Sequence, residues 1–258
     1  MEEKRRDSNF SSSAIYKLAS KGRGALTIEN VGSSFHTYVK EKKREGKLKR
    51  SISNSVNTRP IIWGKVFELY IFAKKLDISF SDMNGVGRLT HTEYDQWTGI
   101  PDTFRKNDLV VGDIKSPSSL TKFCDLIEHT TEGLDSFKAN HADYYWQLVS
   151  SAILTGVDKA ELLFYIPYLS ELKDIKEFVL NIQEEDLPLD LELFQIEWIA
   201  HEITGYIEFG KKPLQIPYLP NESEYKNFNT FIFDVPQEDK DFLTERVKMA
   251  IKQLNEIK

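Results

Sequence analysis

The chain has 258 residues and a formal net charge of −6, from 34 Lys and Arg residues against 40 Asp and Glu residues. Its apolar runs fall short of the ~18 residues that a membrane span needs, and no hydrophobic signal follows the N-terminus. The single cysteine, Cys124, excludes an internal disulfide and a cysteine-rich zinc site. We therefore expect one cytoplasmic domain over residues 1–258, without a membrane partner.

The negative charge is not spread evenly along the chain. Residues 1–60 hold 14 basic and 6 acidic residues, a net charge of +8, whereas residues 61–258 carry a net charge of −14. The basic excess is largest over residues 40–50. Two interpretations stay open at this point: a solvated helix end that runs into a loop, or a positive surface for the phosphates of a nucleic acid.

Apolar periodicity, together with glycine and proline, divides the chain into helices and strands. The first predicted elements are a short helix capped by the serines at 11–13, a helix over 33–45, a polar loop over 51–60 and a helix over 61–76. Strand-like runs over 96–104 and 109–115 then flank a turn at 105–108, and a helix follows Pro117 and Ser118. The remaining elements are a helix over 141–154, a strand over 160–168, a helix over 189–207, a strand over 231–235 and an amphipathic helix over 237–256. This order predicts one α/β domain with a mixed sheet among helices.

The turn at 105–108 would place charged residues on one face of a hairpin. If it closes an antiparallel hairpin with an even-numbered loop, then Asp102, Asp113 and Lys115 project together. The opposite face then takes the small or apolar residues Pro101, Val110, Gly112 and Ile114. The simpler alternative is a surface hairpin with ordinary Asp and Lys side chains.

Two carboxylates and a lysine at a buried edge would repel and lose hydration, which a divalent cation would relieve. Ligands that are all oxygen atoms favour Mg²⁺ or Mn²⁺ over zinc. Glu68, at the margin of the apolar face of the 61–76 helix, is a candidate third ligand, although such a glutamate is usually a solvated edge residue. Gln147 lies on the 141–154 helix, where the alternative is a surface amide. The basic run over 40–50 would suit a phosphodiester substrate.

The order of these residues resembles the PD-(D/E)XK nuclease superfamily, and within it the YqaJ-like viral recombinase, or phage lambda exonuclease, family. The resemblance rests on Glu68 on a helix, Pro101-Asp102, Asp113-Ile114-Lys115-Ser116-Pro117, and Tyr144-x-x-Gln147 on a later helix. It covers roughly residues 11–168, so that about 170–258 would be a C-terminal extension. Two positions depart from the family pattern: Val149 stands where a second glutamine is common, and the second acid is Asp113 rather than the commoner glutamate.

The resemblance implies an α/β fold with a restriction-endonuclease-like core, in which helices flank a central mixed β-sheet, and helical C-terminal additions. The metal ligands that it implies are Glu68, Asp102, Asp113 and the backbone carbonyl of Ile114. Lys115 would be the catalytic lysine, and Gln147 would support the lysine or the substrate phosphate.

Residues near the N-terminus are expected to contact DNA. The resemblance implies that Ser11 and Ser13 help to hold a DNA end. The basic run supplies the expected phosphate contacts, namely Lys42, Lys43, Arg44, Lys47, Lys49 and Arg50.

The resemblance therefore implies an Mg²⁺- or Mn²⁺-dependent deoxyribonuclease, an exonuclease on linear double-stranded DNA in phage-type recombination. It also implies a single-strand annealing protein as partner, a ring-shaped homotrimer, and the cytoplasm of a bacterial or phage-infected host. Two alternatives stay open: a structure- or sequence-specific endonuclease of the same superfamily, and a DNA-binding module that has lost catalysis.

Overall fold

The computed structural model describes residues 9–52, 57–76, 87–188, 191–210 and 214–256. The helices are α1 (Tyr16–Ala19), α2 (Ser33–Leu48), α3 (Arg59–Lys74), α4 (Leu120–Glu132), α5 (Leu134–Asn140), α6 (Ala142–Thr155), α7 (Leu172–Asn181), α8 (Leu193–Phe209) and α9 (Gln237–Glu256). The strands are β1 (Phe10–Ser11), β2 (Leu89–Thr90), β3 (Trp97–Gly99), β4 (Thr103–Arg105), β5 (Val110–Lys115), β6 (Lys159–Tyr165) and β7 (Phe228–Asp234). Every helix predicted above has its counterpart, whereas α5 and α7 were not predicted. Parts of the predicted 51–60 loop (53–56) and 189–207 helix (189–190) lie outside the described residues.

The central sheet has the strand order β4-β5-β6-β7. The β5 and β6 strands run parallel, and the other neighbouring pairs run antiparallel. Side chains of β6 alternate between the two faces of the sheet: Leu162 and Phe164 pack into one hydrophobic core, and Leu163 and Tyr165 into another. A strand buried on both faces reads as a continuous apolar run, as residues 162–165 of this strand do.

Each face of the central sheet is covered by its own helices. The first core includes buried residues of α1, α2, α4, α5, α6 and α9, and the second those of α3, α7 and α8. The predicted α/β class, with a mixed sheet flanked by helices, is therefore confirmed. None of the described helices is long and apolar enough to cross a membrane.

The strand-like run over 96–104 is not one strand, and this prediction was wrong. Its first half forms β3, in a small sheet of order β1-β3-β2, and its second half belongs to β4 in the central sheet. The break falls at Ile100, Pro101 and Asp102. Proline has no N–H to donate to a ladder, so the run cannot continue through Pro101 as a central strand.

The serines at 11–13 do not cap α1 as predicted: Ser11 stands at the N-cap position of a short 3₁₀ helix, Ser12–Ala14, that precedes α1, and it makes no side-chain capping hydrogen bond. The N-cap residue of α1 is Ile15, which makes no side-chain capping hydrogen bond. Ser12 is instead buried, and its Oγ lies 2.8 Å from the Oγ of Ser150 on α6. The indole N–H of Trp97 donates to the same Ser150 oxygen at 2.8 Å. This buried network joins the small sheet to α6.

The chain after residue 170 contributes to the central sheet and to the first hydrophobic core. The β7 strand completes the central sheet, and α9 packs into the first core. Arg246 on α9 is fully buried and donates to the carbonyl oxygens of Thr27 and Asn30 at 2.8 and 2.9 Å. These bonds hold the loop between α1 and α2 against the last helix.

The contact between β4, β5 and β6 predicts the effect of a small substitution. A Cβ atom on Gly112 would clash with Thr103 Oγ1 and lie 2.8 Å from Glu161 Cγ. We expect Gly112→Ala to lower the free energy of unfolding by about 1–3 kcal/mol, as overpacking does, in urea titrations. The matched control is Gly64→Ala inside α3, where a Cβ meets nothing within 4 Å. It should raise stability by about 0.5–1 kcal/mol, and equal effects of the two substitutions would contradict this account of Gly112.

Candidate active site

The β4–β5 hairpin brings Asp102 and Asp113 together. The predicted antiparallel hairpin with an even-numbered loop is confirmed: Thr103 pairs with Gly112 and Arg105 with Val110, so residues 106–109 form the loop. If the same register is continued by one pair beyond Thr103 and Gly112, Asp102 lies across from Asp113. The Asp102 carboxylate accepts a hydrogen bond from the backbone N–H of Ile114 at 2.7 Å, which ties it to the middle of β5.

Asp113 has two partners, one from its own strand and one from α6. The Nε2 of Gln147 donates to Asp113 Oδ1 at 2.6 Å, and Lys115 Nζ lies 2.5 Å from Asp113 Oδ2. The ammonium of Lys115 also lies 5.5 Å from the ring centre of Tyr144. Tyr144 and Gln147 are three residues apart, so α6 turns both side chains toward β5. In this arrangement Gln147 supports Asp113 rather than the lysine.

Glu68 approaches this group from α3, on the other side of the sheet. Burial and the nearby charge of Asp113 raise the pKa of Glu68 to about 7. Burial, Glu68 and Asp113 likewise raise the pKa of Asp102 well above its ordinary value. Burial alone would lower the pKa of Lys115, but Asp113 and Asp102 raise it instead. The four side chains therefore interact electrostatically as one group, in which three carboxyl groups face a single positive charge, that of Lys115.

The donor set of this group fits a hard divalent cation, because carboxylate and carbonyl oxygens are the ligands that Mg²⁺ and Mn²⁺ prefer. Burial, and after it the repulsion between neighbouring carboxylates, raises the pKa values of Glu68 and Asp102, and a bound cation would oppose both effects. As the side chains stand, however, no three Asp, Glu, His or Cys residues in the described part of the chain converge on a metal position. Binding of an ion would have to replace present hydrogen bonds of Asp102 and Asp113.

A cleft of about 480 Å³ runs up to Gln147. Its walls come from β1 and the residues after it, α2, and the small sheet, and they include Ser11, Ser13, Lys42 and Arg88. The two serines are close to each other, with their Oγ atoms 3.3 Å apart. The structure thus places both sequence-predicted serines in a cleft that also contains Gln147, the hydrogen-bond partner of Asp113.

The basic residues of α2 do not all face this cleft. Lys42 does, but it lies 2.7 Å from Glu45 Oε2 and 5.4 Å from the Tyr38 ring centre. Glu45 is buried, so much of the charge of Lys42 is already balanced. Of the other predicted phosphate contacts, Arg44, Lys47, Lys49 and Arg50 are exposed in the second half of α2 and just after it, and Lys43 is half-buried.

Arg88 is a cleft residue that sequence reasoning missed. It is exposed, lines the cleft beside Ser11 and Gln147, and has no ion-pair partner among the residues that the structure describes. It lies just before β2, in a segment without a recognisable motif or charge run. Its sequence carried no signal, because its place in the cleft depends on how β2 pairs with β3.

The fold, unlike the sequence, has clear relatives. No family model and no curated protein matches the chain. The structure of a phage-related exonuclease from Haemophilus somnus 129PT matches with a TM-score of 0.54 at 16% identity, over 95% of this chain and 93% of that one. An alkaline exonuclease, LHK-Exo from Laribacter hongkongensis, matches with a TM-score of 0.53 at 11% identity, over 96% of this chain and 91% of that one. The structure of LHK-Exo in complex with dAMP matches equally well, over 96% and 89%. At these identities the likeness establishes the fold alone.

The raised pKa of Glu68 predicts how stability depends on pH. Its ordinary value is 4.5 and its value in the fold about 7, so the folded chain binds more protons than the unfolded chain in that window. The free energy of unfolding should therefore fall as pH rises from about 4.5 to 7. In EDTA at pH 8, Glu68→Gln should be more stable than the parent by up to about 3 kcal/mol, and this difference should vanish near pH 4.5.

Urea titrations across this pH range measure the effect. Glu222→Gln, which removes an exposed glutamate, is the control and should follow the parent at every pH. If raising the pH lowers the free energy of unfolding of Glu68→Gln as much as it lowers that of the parent, then Glu68 is not the group that titrates.

Proposed function

We propose that this protein is a metal-dependent deoxyribonuclease of the PD-(D/E)XK type, acting as an exonuclease on linear double-stranded DNA in phage-type recombination. The observation that carries the proposal is the convergence of Asp102, Asp113 and Lys115, together with Gln147, which donates to Asp113 and also lines the cleft. The exonuclease names of the structural relatives support it.

Glu68, Asp102, Asp113 and the carbonyl of Ile114 would hold Mg²⁺ or Mn²⁺. When bound, such an ion supplies Lewis-acid polarisation of a phosphoryl oxygen and offsets the charge that develops there. The protein's own part is to hold these carboxylates near one another against their repulsion. The hydrogen bonds from Ile114 to Asp102 and from Gln147 to Asp113 provide that orientation.

Lys115 contributes a fixed positive charge. Because nearby carboxylates raise its pKa, it stays protonated and acts as a hydrogen-bond donor to a phosphate oxygen or to the attacking water, rather than as a base. Tyr144 and Asp113 restrict where its ammonium can lie. Preorganised charge of this kind stabilises a transition state without reorganisation during the reaction.

A nucleic-acid strand suits the cleft for electrostatic reasons. Arg88 is exposed and lines the cleft, and its guanidinium can bind two phosphate oxygens at once. The exposed basic residues at the end of α2 lie in the same N-terminal part of the chain and would add sequence-independent attraction. The dAMP bound by LHK-Exo supports a nucleotide ligand for this fold. The annealing partner and the ring-shaped trimer stay predictions.

Removing the lysine tests the proposal. Lys115→Ala is expected to lower Mg²⁺-dependent digestion of linear duplex DNA at least about 100-fold, as loss of a transition-state donor does, with little change in DNA binding. The control is Lys252→Ala, which removes a lysine whose side chain is 74% exposed on α9, and it should digest DNA like the parent. A Lys115→Ala protein as active as the parent would rule out this assignment.

The choice of DNA substrate in the assay distinguishes an exonuclease from an endonuclease. Purified protein is incubated with linear duplexes bearing 5′-phosphate or 5′-hydroxyl ends and with covalently closed circular DNA, each with Mg²⁺, Mn²⁺ or EDTA. We expect metal-dependent loss of the linear substrates alone. Cleavage of the closed circle would instead indicate an endonuclease, and DNA binding without cleavage under every condition would indicate an inactive binding module.

The cleft also predicts a change in salt dependence. If Arg88 neutralises one phosphate, Arg88→Gln should weaken DNA binding and reduce the slope of log K against log salt by about 0.9. Fluorescence anisotropy in Ca²⁺, across a range of KCl concentrations, measures this slope. Lys252→Gln is the control, and an unchanged slope for Arg88→Gln would remove Arg88 from the DNA interface.

A further inference from the structure

Ile100 is an unusual member of the cleft wall. The neighbouring wall residues are polar or lack a side chain, such as Ser13, Thr98 and Gly99, whereas Ile100 presents a large aliphatic group that is 52% exposed. A single exposed isoleucine on a protein surface is ordinary. An exposed isoleucine in a polar cleft, two residues before a candidate metal ligand, calls for a more specific explanation.

The backbone around Ile100 is held from both sides. Gly99 belongs to β3, where it pairs with Leu89, and a Cβ there would clash with Ser12. On the other side Pro101 is buried, and the N–H of Asp102 donates to the carbonyl of Gly112 at 3.1 Å. Ile100 is also β-branched, which limits its side-chain rotamers. Its aliphatic group is therefore presented to the cleft in a nearly fixed position.

An aliphatic group selects which part of a nucleotide it can contact. It offers no hydrogen bond or charge to a phosphate, so a phosphate beside it would lose hydration without compensation. The sugar and the face of a base are the apolar parts of a nucleotide. Two residues of backbone span at most about 7 Å, so Ile100 would lie within about one nucleotide of a phosphate at the metal position that Asp102 would help to form.

We propose that Ile100 is a specificity-determining contact that packs against the sugar and base face of the nucleotide next to the scissile phosphate. This inference rests on the proposed nuclease function. Because every base has an apolar face, such a contact tolerates any sequence. It would, however, distinguish a nucleotide that carries a base from an abasic one.

The experiment compares two duplexes that differ only in the end nucleotide, which is either normal or an abasic tetrahydrofuran analogue. For the parent protein, binding in Ca²⁺ and KM for cleavage in Mg²⁺ should both worsen about fivefold on the abasic end, since about half of an isoleucine side chain loses its contact. The value of kcat should change much less. This arm uses the parent protein and so does not depend on how a variant folds.

The variants connect the effect to Ile100. Ile100→Ser should bind the normal end about fivefold more weakly and show no further loss on the abasic end. The matched control is Leu109→Ser, which removes another exposed aliphatic side chain, 59% exposed, from the loop of the same hairpin. It should discriminate between the two ends as the parent does.

The outcomes separate the two levels of the proposal. If the parent binds and cleaves DNA but treats both ends alike, or if Ile100→Ser discriminates as strongly as the parent, the assignment of Ile100 is wrong and the nuclease proposal stands. If the parent neither binds nor cleaves DNA with any metal, the nuclease proposal fails, and the role of Ile100 fails with it.

Discussion

The repulsion among Glu68, Asp102 and Asp113 is the constraint on which the arrangement around them depends. Burial and mutual repulsion raise the pKa values of Glu68 and Asp102, so the fold must hold these groups where they would not gather on their own. It does so from separate directions, with α3 behind the sheet, the hairpin at its edge, and Gln147 of α6 in front. Such an arrangement costs stability and is typical of functional sites.

Two of the acidic residues in the C-terminal third, Asp239 and Glu171, have a structural role that the net charge did not suggest. Asp239 on α9 is buried and receives hydrogen bonds from Lys138 at 2.6 Å and Tyr145 at 2.5 Å. Glu171 accepts hydrogen bonds from the N–H of Tyr168 at 2.8 Å and from Asn227 at 2.5 Å. These carboxylates attach late segments of the chain to the central sheet and the helices around it.

The sequence was most informative where the relevant contacts are local. Periodicity located α2, α3, α6 and α9, and the parity of the hairpin placed Asp102 on the same face as Asp113 and Lys115, because strand geometry alone decides which residues share a face. It was least informative where distant segments meet. The burial of Ser12 against Ser150 and the arrival of Arg88 in the cleft depend on tertiary packing that no local pattern encodes. The Lys42–Glu45 pair, by contrast, joins residues three apart on α2, which is a local helical spacing.

The link between the two sheets is only three residues long, Ile100, Pro101 and Asp102. A connection this short and this constrained cannot absorb a change of angle between the sheets, since each residue adds at most about 3.6 Å of reach and proline removes one rotation. Widening the cleft by tilting the small sheet would therefore drag the Asp102 carboxylate away from β5. Movement of the small sheet at the cleft is therefore coupled to movement of the carboxylate site. A nucleic-acid strand bound against the small sheet would also set the position of Asp102.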